Sequence, residues 1–330
     1  MTTPESNIAG QRDKTANDRS VLAGPGSSRR DLLKTGALLA ASTTLVDGAP
    51  AYAQARWSDP MVPVPLPAQV PAKEAIAQLP GARLGYWDTG GNGAPIVLMH
   101  PATGSALIWG YQQPVFARAG YRIIAYSRRG YHNSEPVPKE NPGTASEDLH
   151  HLIGHLGIQK FHAVASAAGC SITIDYALSH PDRLFSIVLA SGIGGVRDPE
   201  YLKLSEGLRP KGFAEMPADF RELGPSYRAA NPEGVRQWIE LEHKAITGNR
   251  LGQKPANDVT WARLQKMQVP TLLLTGDADL YSPPAVTRLF ARNIPNSELV
   301  IVPEAGHSSY WERPEIFNTA VLDFIGRHSK

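Results

Sequence analysis

Six short apolar runs, spaced so that helical patterns fit between them, constrain this chain more than any other feature. They lie at 95–99, 121–126, 160–165, 184–190, 271–274 and 298–302. Pro95-Ile96-Val97-Leu98-Met99 is apolar without alternation, as a strand covered on both faces must be. Helical patterns follow at 144–156, 168–179, 283–293 and 314–325. Alternation of this kind predicts an α/β fold: a mostly parallel central sheet with helices on both faces. Ligands of such sheets bind at the carboxyl ends of the strands, so the residues just after each run are the ones to search.

The rest of the chain divides around those runs. Residues 82–194 and 270–330 carry the alternating core. Residues 195–269 have no clear strand but hold a helical stretch at 232–246, and they predict a helical cap inserted over the sheet. Residues 56–81 contain Pro60, Pro63, Pro65, Pro67 and Pro71 and read as an extended lead-in. Within residues 1–55, Ser28-Arg29-Arg30-Asp31-Leu32-Leu33-Lys34 resembles a twin-arginine export motif. An apolar stretch at 35–46 and the cleavage candidate Ala51-Tyr52-Ala53 follow in the right order. The stretch is too short to span a bilayer core of about 30 Å, so no stable membrane span is expected. The resemblance implies export through the twin-arginine machinery to a periplasmic or secreted location. A formal net charge of +2 over 330 residues argues against a nucleic-acid partner. The single cysteine, Cys170, excludes an internal disulfide.

Five segments carry a family resemblance. They are Val97-Leu98-Met99-His100-Pro101; Arg128-Arg129-Gly130-Tyr131 with Ser134; Phe161 to Cys170; Gly276-Asp277-Ala278-Asp279 with Pro283; and Glu304-Ala305-Gly306-His307 with Glu312-Arg313-Pro314. In this order, each after a predicted strand, they resemble the α/β-hydrolase superfamily. The resemblance implies acyl-transfer chemistry on a small-molecule substrate, without a cofactor. A nucleophile attacks a carbonyl, a histidine takes its proton, and a carboxylate orients the imidazole. The implied base is His307 and the implied acid is Asp279, with Asp277 as a loop hydrogen-bonding residue. The implied oxyanion donors are the N–H groups of Ala102 and Ala168.

The nucleophile is where this chain departs from the pattern. The family turn is Gly-x-Ser-x-Gly between a strand and a helix. Here Ala165 and Gly169 are the small flanking residues, and Ala167 stands between them. Ser166 is one place early, and its flanking Val164 is β-branched and ill suited to the turn. Spacing to the His180-Pro181 pair also favours Ala167 at the tip. Three readings follow: Ser166 serves as an alternative nucleophile, His307 acts on water or substrate without a covalent intermediate, or the chain is inactive. The function expected is hydrolysis of an ester or lactone of a small, mostly apolar carbonyl compound. A lyase or cofactor-free oxygenase on the same fold, and a ligand-binding pseudoenzyme, are the alternatives. Trp109 and the cap residue Trp238 are candidate substrate contacts. His151 and His155 are four apart on a predicted helix, but they read as a solvated face, and no metal site is expected.

Overall fold

The computed structural model describes residues 59–192, 194–248 and 252–329. The export segment expected at 1–55 lies outside the described residues. Eight strands form one sheet: β1 (Lys73–Leu79), β2 (Ala82–Asp88), β3 (Pro95–Met99), β4 (Arg122–Tyr126), β5 (Phe161–Ser166), β6 (Leu184–Ala190), β7 (Thr271–Gly276) and β8 (Ser297–Val302). Their order is β1-β2-β4-β3-β5-β6-β7-β8. β3 to β8 run parallel, while β1 pairs antiparallel with β2, and β2 with β4.

The continuous apolar strands are explained by two cores, one on each face. Val97, Met99, Ala163, Ala165, Ile187 and Leu189 pack into one core. Their neighbours Ile96, Leu98, Val164, Val188 and Ala190 pack into the other. Successive residues of a strand point to opposite faces, so a strand covered on both must be apolar at every position. The first core is closed by α2 (Ala145–His155), α3 (Ala168–Ser179) and α9 (Pro284–Asn293). α1 (Gln113–Arg118) and α11 (Pro314–Gly326) close the second.

The segment between β6 and β7 carries α4 (Pro199–Gly207), α5 (Ala218–Glu222), α6 (Pro225–Ala230), α7 (Pro232–Ala245) and α8 (Trp261–Leu264). Leu223, Tyr227 and Trp238 from it join the second core. One expectation is corrected at the amino-terminal side. The predicted lead-in at 56–81 is not wholly extended linker, because its residues 73–79 form β1. That strand sits at the edge, and its exposed positions include Ile76. An edge strand needs only one apolar face, so its pattern is weak.

The topology also places the site. After β3 the chain turns to one side to form β4, and after β4 it crosses to the other side to form β5. The carboxyl ends of β3 and β5 therefore flank a topological switch point, where such sheets leave a crevice.

Candidate active site

β5 runs into α3 through Ala167, whose backbone has φ 49° and ψ −112°. L-residues rarely adopt this conformation, and it turns the chain sharply from strand to helix. The Ala167 N–H donates to Ala190 O at 2.9 Å. Gly169 is required two residues on, because a Cβ there would lie 2.4 Å from Met99 O. Ser166 is the last residue of β5, paired with Ala190. Its side chain is buried, and its Oγ has no hydrogen-bond partner among the described residues. The turn tip therefore carries a methyl group, and the neighbouring hydroxyl stays inside the strand. Cys170 packs beneath the turn, fully buried, and burial pushes its thiol up from its ordinary value.

His307 follows β8, and Asp279 follows β7. His307 Nδ1–H donates to both carboxylate oxygens of Asp279, at 2.9 Å each. Asp279 Oδ1 also accepts the N–H groups of Tyr281 and Ser282, both at 2.8 Å. Asp277, by contrast, is exposed. Burial alone would raise the Asp279 carboxyl, but His307 and these donors hold it below its usual value. Burial pulls the His307 imidazole down; the carboxylates of Asp279 and Glu222 outweigh it and push the histidine up to about 9. The Tyr281 ring lies 4.5 Å from the His307 ring, centroid to centroid.

Two further groups fix the histidine loop. Glu222 O, at the end of α5, accepts the N–H groups of His307 at 2.8 Å and Ser308 at 3.0 Å. Glu312, in α10 (Ser309–Glu312), accepts the N–H of Gly224 at 2.6 Å, of Gly306 at 3.0 Å and of Ser308 at 3.2 Å. Burial nevertheless pushes Glu312 up to about 7.

Ala168 occupies the first position of α3, where a helix N–H lacks an intrahelical acceptor. The Ala102 N–H donates no hydrogen bond among the described residues. Among the described residues, the Ala168 N–H likewise donates no hydrogen bond. The turn after β3 is braced despite Pro101. His100 is fully buried, its Nδ1–H donates to Pro101 O at 2.7 Å, and its Nε2 accepts the Arg128 N–H at 3.0 Å. Burial and the Arg128 charge hold this histidine well below its ordinary value, which fits the acceptor role. Arg128 Nη2 also donates to Pro101 O at 2.9 Å, and the Tyr131 hydroxyl donates to Ala102 O at 3.1 Å.

A cavity of about 190 Å³ opens beside Ala168, lined in part by Arg128, Tyr131, Val137, Ile172 and Gln253. His307 and Asp279 do not line it. Trp109 and Trp238 are both buried in the second core, and Trp109 packs on Tyr310 at 5.1 Å between centroids. Among the described residues no group of three or more metal-ligating side chains converges. Asp148 is taken instead by a bidentate pair with Arg129, at 2.8 and 2.5 Å.

The alpha/beta hydrolase family model matches residues 96–320. The chain belongs to the alpha/beta hydrolase family. It is 29% identical over 269 residues to a 2-hydroxy-6-oxononadienedioate/2-hydroxy-6-oxononatrienedioate hydrolase of Burkholderia vietnamiensis, which covers 74% of this chain and 91% of that one. Among solved structures, it is similar to a thermophilic esterase from Thermogutta terrifontis, with a TM-score of 0.65 at 24% identity over 78% of this chain and 100% of that one. An enol-lactonase from Burkholderia xenovorans matches with a TM-score of 0.61 at 23% identity, over 76% of this chain and 100% of that one. At such identities these structures establish the shared hydrolase fold.

Sequence motifs of the family pointed to His307, Asp279, Ala102, Ala168 and Ala167. They did not point to Glu222, nor to the brace of His100 by Arg128. Glu312 lies five residues after His307, close enough in the motif to have suggested a role. Glu222 lies in Asp219-Phe220-Arg221-Glu222, which reads as an ordinary polar helical turn; only tertiary packing brings it to His307.

Proposed function

We propose that this chain is a hydrolase of small esters or lactones, in which His307 activates water directly instead of a serine. The observation that carries this reading is the pairing of His307 with both oxygens of Asp279, while a residue without a nucleophilic atom holds the strained turn after β5. In its neutral form, which gains population as pH rises toward 9, the imidazole takes a proton from water as the water oxygen attacks the carbonyl carbon. Asp279 holds the ring and stabilises the imidazolium formed. The carbonyl oxygen gains charge and is met by the N–H groups of Ala102 and Ala168. Collapse then returns the proton from His307 to the leaving alkoxide. The hydrolase relatives support a hydrolytic reaction.

Short p-nitrophenyl esters test this. Turnover is expected in the unaltered chain and in Ser166→Ala, and is lost in His307→Ala. If Ser166→Ala alone abolished turnover, and a fluorophosphonate labelled Ser166, direct water attack would be wrong. General-base catalysis contributes roughly 10²–10⁴-fold, so turnover is expected to be slow beside a serine enzyme.

A further inference from the structure

Glu222 is a buried carboxyl for which the mechanism above has no use. Its side chain is 4% exposed, and Oε2 has no hydrogen-bond partner among the described residues. Thr103, one residue beyond the Ala102 oxyanion donor, likewise has a buried hydroxyl without a partner. That hydroxyl approaches Glu222 without full hydrogen-bond geometry. The backbone fixes Glu222 close to the base, since its own carbonyl accepts the N–H groups of His307 and Ser308. The two segments are in tight register: a Cβ on Gly224 would lie 2.8 Å from Gly306 N. Buried polar atoms in native proteins are almost always satisfied by protein, water or ligand. Two of them lie beside the base and the oxyanion turn.

We propose that Glu222 is a catalytic residue of this site: its free carboxylate oxygen, with the Thr103 hydroxyl, holds the water that attacks the substrate in place of the hydroxyl missing from Ala167. The inference rests on the hydrolase reading above. One O–H of the water donates to Glu222 Oε2, and the other faces His307 Nε2. As the new C–O bond forms, that second proton passes to His307, and the carbonyl electron pair moves onto the oxyanion. When the ester C–O bond breaks, the leaving alkoxide takes the proton back from His307. Glu222 accepts a hydrogen bond throughout and ends the cycle unchanged.

The charged and titratable groups facing Glu222 are His307, Asp279, Arg221, Tyr281 and Tyr310. Burial raises its carboxyl, and His307 opposes that rise. The Glu222 carboxylate in turn helps hold His307 up. Removing its charge therefore releases the imidazolium proton at lower pH, so the pH profile reports the coupling of Glu222 to the base and the fall in kcat reports its hold on the water.

The test uses the full chain and p-nitrophenyl acetate, with Glu222→Gln and Glu222→Asp compared across pH. In Glu222→Gln, kcat is expected to fall about 10²-fold, and the rise of kcat/KM with pH is expected to move to lower pH. Glu222→Asp keeps the charge and is expected to recover part of the rate with the rise little moved. If Glu222→Gln turned over like the unaltered chain, with the same pH profile, the proposal would be overturned and the hydrolase reading would stand. If the unaltered chain gave no turnover, the hydrolase reading would fail instead. The titration of His307 by ¹⁵N NMR would then decide Glu222, and a titration identical in Glu222→Gln would overturn its coupling to the base.

Discussion

Ala167 holds φ 49° with a Cβ attached, at a turn where glycine would be relaxed. Such a conformation costs on the order of 1–3 kcal/mol in a non-glycine residue. Neighbouring packing maintains it, through the close approach of Gly169 to Met99 O and the Ala167 N–H bond to Ala190. Ala167→Gly should relieve the strain, offset by the roughly 0.4–1 kcal/mol that a freer unfolded chain costs. A net gain of about 1 kcal/mol is expected in urea unfolding. A clear loss would mean that the methyl is held without strain. The turn itself was legible in the sequence, because small residues at fixed spacing leave a local mark. Glu222 was not legible, because a buried acid in a cap leaves no mark until the cap is folded onto the core.

Between elements, the decisive contact is the clamp of Glu312 on Gly224, Gly306 and Ser308. It joins α10 to the histidine loop and to Gly224, two residues after Glu222 in the segment between β6 and β7. A single carboxylate satisfies three backbone N–H groups there. Removing one buried partner costs on the order of 1–3 kcal/mol for each group left unpaired, although water can recover part of it. Glu312→Ala is therefore expected to lose about 3–5 kcal/mol in denaturant unfolding, and to lose turnover as the loop loosens. A stability change near zero would show that the clamp is dispensable. The parallel strands could be read as elements because burial on both faces writes itself as an unbroken apolar run. β1 escaped because an edge strand needs no such run, and the short α1 and α10 escaped because one or two turns carry little periodicity.

Over the whole molecule, the buried titratable groups set how stability varies with pH. His307 is raised from 6.5 to about 9, so the stability it contributes is fully present below 6.5 and is lost as pH rises through 9. Glu312, raised from 4.5 to about 7, acts in the same direction, with loss between those values. His162 opposes Glu312. Burial lowers it from 6.5 to about 4, so its contribution is present above 6.5 and is lost as pH falls toward 4. Asp279, held below 3.8, is lost only at lower pH still. His100, held well below its ordinary value, adds to the loss from His162 below pH 6.5, and between pH 6.5 and 9 the loss belongs mainly to His307. The urea midpoint of the unaltered chain, minus that of His307→Gln, is expected to shrink between pH 6.5 and 9 and to level off above that range. A difference that grew with pH would mean that the folded protein holds His307 neutral, with neither Asp279 nor Glu222 stabilising its charged form.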